Sequence, residues 1–161
     1  MILFVSLGRA PFQDSINTIS LDGRELKQLL APAAGRSYVH ASGNSLQDIL
    51  AVAVHEVAPT REVVDHLFTY NPRNGAWRRL VNTEGIEGAG FLSPDRSRAA
   101  FVFAPDREPI QLRLWGVDLK TGETAKLTGD DAEEGMWDGY ASWRPDGQEI
   151  AFLRMRRAPG A

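Results

Sequence analysis

The stretch LSPDRSRAAFVF, Leu92–Phe103, returns as SWRPDGQEIAFLR, Ser142–Arg154, with a step of 51 residues between the apolar runs that start at Ala99 and Ile150. Both stretches carry Pro-Asp, a short polar gap, and then a run of small, β-branched or aromatic residues. Further back, ILAVAV from Ile49 and ILFVSL from Ile2 keep the same rhythm, at steps of 50 and 47. A second series keeps it independently. INTISLDGRELKQLL from Ile16, LFTYNPRNGAWRRLV from Leu67 and LWGVDLKTGETAKLT from Leu114 are separated by 51 and 47 residues. Seven segments recurring in a fixed order mark an internal repeat, and a repeat decides the fold before any single element does.

Each cycle has one grammar. An apolar run comes first, then a polar or Pro-containing loop, then a second strand that enters a turn at Asp22-Gly23, Asn74-Gly75 or Thr121-Gly122. Asn or Asp followed by Gly is a strong hairpin signal, because those residues tolerate the positive φ that a two-residue turn demands. A third strand follows and ends in QLL, RLV or KLT, and a variable polar loop leads to the next cycle. Three or four short strands in about 50 residues is the size of a propeller blade. The expected fold class is therefore all-β: β-propeller blades, each a four-stranded antiparallel sheet. ILAVAV is apolar on both faces, which suits a strand packed on both sides rather than one facing water. DGRELKQLLAPAAG comes nearest to a helical period, but the Asp22-Gly23 turn and Pro32 cut it short.

The expected organisation is a single partial propeller over 1–161, with repeats at about 1–47, 48–97 and 98–148 and the opening strand of a further blade at 149–155. Propeller rings close with about four to eight blades, so three blades form an incomplete ring. A piece of a longer product is the expectation. The alternatives are a last strand folded back on the first blade, and a homodimer in which two arcs close one six-blade ring.

The chain has 161 residues, 43% of them hydrophobic and 24% charged, which is ordinary for a globular domain. Net charge is −3, so nothing suggests the basic face that nucleic acid requires. Fifteen of the 18 basic residues are Arg, read as compositional bias. There is no Cys, which removes disulfides, thiolate nucleophiles and thiolate metal sites together. The start, MILFVSLGRAPF, is too short an apolar run for a membrane span and lacks the pattern of a secretory signal, so it is read as a first strand.

SPDRSRAAFVF and RPDGQEIAFLR also resemble the Pro-Asp-containing, WD-like repeats of TolB-type β-propellers. The last full cycle supplies Ser93, Pro94, Asp95, Ala100, Phe101, Asp118, Thr121, Gly122, Leu127 and Thr128 to that pattern, and the closing one Trp143, Pro145, Asp146, Gly147, Ile150, Ala151 and Phe152. Leu92 stands where the family has Trp, and Arg96 where it has Gly. The first two cycles are more degraded: ASGNSLQDILAVAV has Asn44 and Ser45 near the Pro-Asp positions and no Pro. The resemblance spans the whole chain as a period but is strong only over Ser93–Phe152. It implies a bacterial, often extracytoplasmic setting and rings of six blades. Physically the motif is a turn, in which Pro presets φ, Asp bonds the following backbone and Gly accepts an unusual φ. Pro94, Asp95, Pro145, Asp146 and Gly147 are therefore expected to be structural, with Trp143 packed between blades.

No catalytic site is expected. His40, His55 and His66 show no metal-ligand spacing, and neither a Gly-x-Ser-x-Gly elbow nor a phosphate loop is present. GDDAEEGMWDG, Gly129–Gly139, is the densest acidic stretch, but its spacing is not that of an EF-hand loop. It is read as a solvated inter-blade loop. With Asp130, Asp131, Glu133 and Glu134 beside Met136, Trp137 and Tyr140, it is also the best candidate binding patch, because aromatics with charge in a loop make recognition surfaces. The basic RMRRAPGA is read as the start of a further blade loop. The function expected is a non-catalytic scaffold for a protein partner, without cofactor, metal, nucleic acid or membrane span. The resemblance leaves two alternatives: a substrate-gating propeller of a prolyl-oligopeptidase-type serine peptidase, and a propeller lyase or glycan-binding module.

Overall fold

The computed structural model describes residues 2–8, 13–43, 50–57, 63–81, 85–105, 111–129 and 135–156. Their regular structure is entirely strand, in four antiparallel sheets. Sheet 1 contains β1 (Ile2–Ser6), β2 (Ser15–Ile19) and β3 (Leu26–Leu30), in that order. Sheet 2 runs β4 (Arg36–Ser42), β5 (Leu50–Val57), β6 (Val63–Asn71), β7 (Ala76–Arg79). Sheet 3 repeats it with β8 (Ile86–Leu92), β9 (Arg98–Ala104), β10 (Arg113–Asp118) and β11 (Thr124–Lys126). Sheet 4 pairs β12 (Met136–Trp143) with β13 (Ile150–Arg156). No helix among the described residues is long and apolar enough to cross a membrane.

The turns form where the sequence places them. Gly23, Gly75 and Gly122 have φ of 75°, 71° and 79° in the β2–β3, β6–β7 and β10–β11 hairpins. Asn74 Oδ1 accepts the Ala76 N–H at 3.0 Å, and Asp22 Oδ1 accepts that of Arg24 at 3.2 Å, so each side chain closes its own turn.

The core lies between sheets, in three layers. Ile16, Tyr38, Val52, Val54 and Tyr70 fill the space between sheets 1 and 2. Leu67, Leu80 and Val81 meet Phe101, Phe103 and Val117 between sheets 2 and 3. Val102, Leu114 and Ala141 form the smaller layer between sheets 3 and 4. Along β9 the period of two sends Ala99, Phe101 and Phe103 one way and Val102 the other, which is why its apolar run is unbroken.

The sheets start one strand earlier than the repeats read from the sequence. The runs at Ile2, Leu50, Ala99 and Ile150 lie in β1, β5, β9 and β13, and in sheets 2, 3 and 4 an edge strand precedes them. Ile150–Arg156 is thus the second strand of its sheet. The expected inter-blade loop Gly129–Gly139 is also corrected: from Met136 onward it is β12. These edge strands escape a pattern reading because each is interrupted. Pairing shifts between Tyr38 and His40 in β4, Glu87 and Gly90 in β8, and Gly139 and Ser142 in β12. A bulge breaks the alternation by which a strand is recognised. Trp143 does lie between sheets: its Nε1–H donates to the Phe91 carbonyl at 2.9 Å, and the Arg98 guanidinium sits 5.5 Å over its ring.

Candidate functional site

The bulges of β4, β8 and β12 fall at one level. Tyr38 pairs with Val54, Glu87 with Phe103 and Asp138 with Arg154; the irregularity follows directly in β4 and β8, and one pair later, after Gly139, in β12. The edge strands β4, β8 and β12 lie side by side, so the bulges line up across them. A bulge bends its strand and re-aims the side chains beside it. The result is a cleft of about 590 Å³. Val39 and His40 line it from β4, Gly88, Ala89 and Phe91 from β8, and Trp137 to Tyr140 from β12. Tyr140 holds φ of 50°, a left-handed conformation uncommon outside Gly. It is 70% exposed, and Val39 58%. Two large apolar side chains thus stand in water at the cleft.

Three polar groups give the region its electrostatics. Asp138 is buried, and Arg154 grips it with two hydrogen bonds of 2.7 and 3.0 Å. Burial pushes its carboxyl upward, but hydrogen bonds from Arg154 and Thr128 and the charges of Arg154 and Arg113 outweigh it, leaving the pKa below the ordinary value. Arg113, itself buried, donates to the Met136 carbonyl at 2.6 Å. His40 packs 5.1 Å from the Phe91 ring. Burial drives its pKa below the usual imidazole value, opposed by a backbone hydrogen bond at Gly90, and its Nε2 is buried without a partner. The imidazole is therefore neutral at pH 7.

Glu87, at the position equivalent to Asp138, works differently. Its Oε2 accepts the Leu67 N–H of sheet 2 at 2.7 Å, and Oε1 accepts from Arg79 at 3.3 Å. Arg79 also reaches His66 Nδ1 at 2.8 Å. A guanidinium only donates, so Nδ1 accepts. This group clamps sheet 3 to sheet 2.

Of the residues expected to bind, Trp137 and Tyr140 line the cleft. Met136 stands at the start of β12, where its carbonyl receives Arg113. Asp130, Asp131, Glu133 and Glu134 lie outside the described residues. His40, Val39 and Phe91 were missed by the sequence reading. One signal points to them: Val39 and His40 in SYVHAS and Phe91 in GAGFLSPD stand a few residues upstream of the Pro-Asp position, or its counterpart, in their cycles, as Tyr140 does in GYASWRPD. The motif residues sit in turns. Asp95 accepts from Ser93 Oγ at 2.6 Å, Ser97 Oγ at 2.8 Å and the Ser97 N–H at 3.1 Å, which lowers its pKa to about 2. Asp146 accepts the Gln148 N–H at 3.0 Å and Arg144 Nε at 2.8 Å, and Gly147 has φ of 71°. Pro94 and Pro145 flank a second hollow of about 550 Å³ that also touches Trp143. Among the described residues no three His, Asp or Glu are grouped as a metal would need.

Successive antiparallel sheets packed face to face, sheets 2, 3 and 4 each with a bulged edge strand on the same side, define an arc of a β-propeller. A solved structure agrees. The chain is similar to an oligogalacturonate lyase in complex with manganese, at 18% identity and a TM-score of 0.55, over 84% of this chain and 36% of that one. It is also similar to TolB from Acinetobacter baumannii, at 17% identity and a TM-score of 0.45, over 99% of this chain and 47% of that one. The chain therefore spans between a third and a half of the length of these propellers. No protein-family model and no curated protein sequence matches it. At such identities the shared property is the fold.

Proposed function

We propose that this arc is a non-catalytic, TolB-like scaffold for protein–protein interaction, in an extracytoplasmic setting, and that its recognition surface is the cleft on the bulged edge strands. One observation carries the reading: the bulges of β4, β8 and β12 meet in one cleft, where Tyr140 and Val39 are held out to solvent. Exposed apolar side chains around a concavity favour a partner that covers them. The acidic residues Asp130, Asp131, Glu133 and Glu134 lie just ahead of β12 in sequence.

The test is a random peptide library panned on the full chain. Selected peptides should lose at least tenfold in affinity on Tyr140→Ala and on Val39→Asp, and keep it on Leu26→Ala, an exposed residue of β3 outside the cleft. Peptides indifferent to both cleft substitutions would remove the reading. A second reading, a lyase or glycan-binding module, draws support from the neutral His40 and the buried Asp138 in the same cleft. It predicts turnover or retention of a polysaccharide, lost on His40→Phe.

A further inference from the structure

Sheets 2 and 3 share one order: a bulged edge strand, an apolar strand, then a hairpin pair. Among the described residues, sheet 4 has the first two of these, β12 and β13, and sheet 1 has the last three, β1, β2 and β3. The two sheets overlap in one strand, because β1 and β13 hold the same place. Val5 stands across from Ile16 in β1–β2 as Val102 stands across from Leu114 in β9–β10. Leu153 corresponds to Val102 through the pairing of β13 and β9 with their bulged partners. ILFV, Ile2–Val5, and IAFL, Ile150–Leu153, therefore match position for position.

Their surroundings differ. Val102 is buried in the layer between sheets 3 and 4, and Val5 packs half-buried on the layer between sheets 1 and 2. Leu153 is 55% exposed. The edge of β13 away from β12 has no strand beside it among the described residues, and an open edge is a template for another strand. β1 is paired on one side only, by β2, and Ile2 is largely exposed. We propose that a second copy of this chain covers β13 by strand exchange, with β13 taking the place of β1 on β2 of the other copy. β12 and β13 then join β2 and β3 of that copy in one four-stranded sheet, in the order seen in sheets 2 and 3. Leu153 comes to lie across from Ile16, where Val5 was. One ladder on β2 replaces another, as in other exchanges of equivalent elements, while β13 gains the cover it lacks. Two copies must meet and each must release β1, so the dilute chain stays single.

The experiment follows the solution mass of the full chain by light scattering as its concentration is raised. The mass should rise from one copy to two. Val5→Ala weakens β1 alone and should tighten the dimer at least about fivefold, because the strand to be released holds less apolar surface. Leu153→Asp alters an exposed residue and should abolish the dimer. The chain has no Cys, so Leu3→Cys with Thr18→Cys, which stand opposite one another in β1 and β2, introduces a single bridge that fixes β1 in place. This variant should stay single when oxidised and pair again when reduced. A chain that is single at every concentration would overturn the proposal. So would a dimer that Val5→Ala weakens or leaves unchanged, one that survives Leu153→Asp, or one that persists with the bridge closed. None of these results touches the recognition role of the cleft, which the peptide selection tests by itself.

Discussion

β9 and β13 carry the same phrase and meet different fates. Ala99 to Phe103 corresponds residue for residue to Ile150 to Arg154, with the same turn ahead of each and the same pairing to a bulged partner. In β9 every residue after Arg98 is buried, whereas in β13 every residue after Ile150 is exposed. Phe101 is wholly buried, and Phe152 remains 37% exposed. The backbone ladders match; the neighbours do not. β9 lies between sheets 2 and 4, while among the described residues β13 has β12 alone beside it. Local sequence thus sets the strand and its register, and packing by adjoining sheets sets what each residue contributes to stability.

The largest test of that contrast is the Phe pair. Phe101→Ala should cost about 3–5 kcal/mol of unfolding free energy in urea, the range for a buried aromatic truncated to Ala. Phe152→Ala should cost less than about 1 kcal/mol, the usual limit for a site with little packing to lose. Equal losses would mean that sheet 4 is covered as well as sheet 3 in solution.

The second test separates the two equivalent carboxylates. Asp138→Ala removes a buried carboxylate and its two charge-assisted hydrogen bonds from the exposed Arg154, a loss of about 1.5–3 kcal/mol. Because the Asp138 pKa is lowered on folding, its contribution is fully present above the unfolded value and is lost as pH falls through the folded one. The variant should therefore lose less stability than the wild-type chain on acidification below about pH 4, near the ordinary Asp value. Glu87→Gln should instead loosen sheet 2 from sheet 3, raising amide exchange at Leu67, whose N–H it holds.

The smallest test exchanges the turns. Arg96 and Gly147 fill the same place in the two motifs, with φ of 61° and 71°. No backbone crowds Gly147, the nearest contact of an added Cβ being Pro94 at 3.7 Å, so Gly147→Ala meets only the left-handed penalty of about 1 kcal/mol. Arg96→Gly relieves the same penalty and should raise the midpoint by an amount equivalent to about 0.5 kcal/mol, less than the full term because Gly also loosens the unfolded chain. Thermal melts of both variants decide it.

The fold was legible in the sequence through its period, its hairpin glycines and the doubly apolar runs. What escaped were β4, β8 and β12, because bulges and residues such as Gly88, Gly90, Gly139 and Ser142 destroy the alternation that identifies a strand. The site was half legible. Trp137 and Tyr140 stood out as aromatics beside acids, although they belong to a strand and not to a loop. His40 and Phe91 lie about 50 residues from one another and carry no local signal of partnership. Only stacking of the sheets brings them together.

Apart from the Glu87 clamp, where a side chain accepts from the Leu67 N–H, six side-chain bonds between sheets share a trait with a longer reach. Tyr38 Oη donates to the Ala31 carbonyl, Ser42 Oγ to that of Gly90, Arg78 to that of Leu119, Trp143 to that of Phe91, Arg98 to that of Gly147 and Arg113 to that of Met136. Each donor is a side chain and each acceptor is main chain. A carbonyl is there whatever residue carries it, so the accepting position can change its side chain over generations without breaking the joint. Only the donors are constrained, and a Tyr, a Ser, an Arg or a Trp serves in different joints. An arc assembled in this way can diverge in sequence almost everywhere while its blades stay in place, as a shared fold at 18% identity requires.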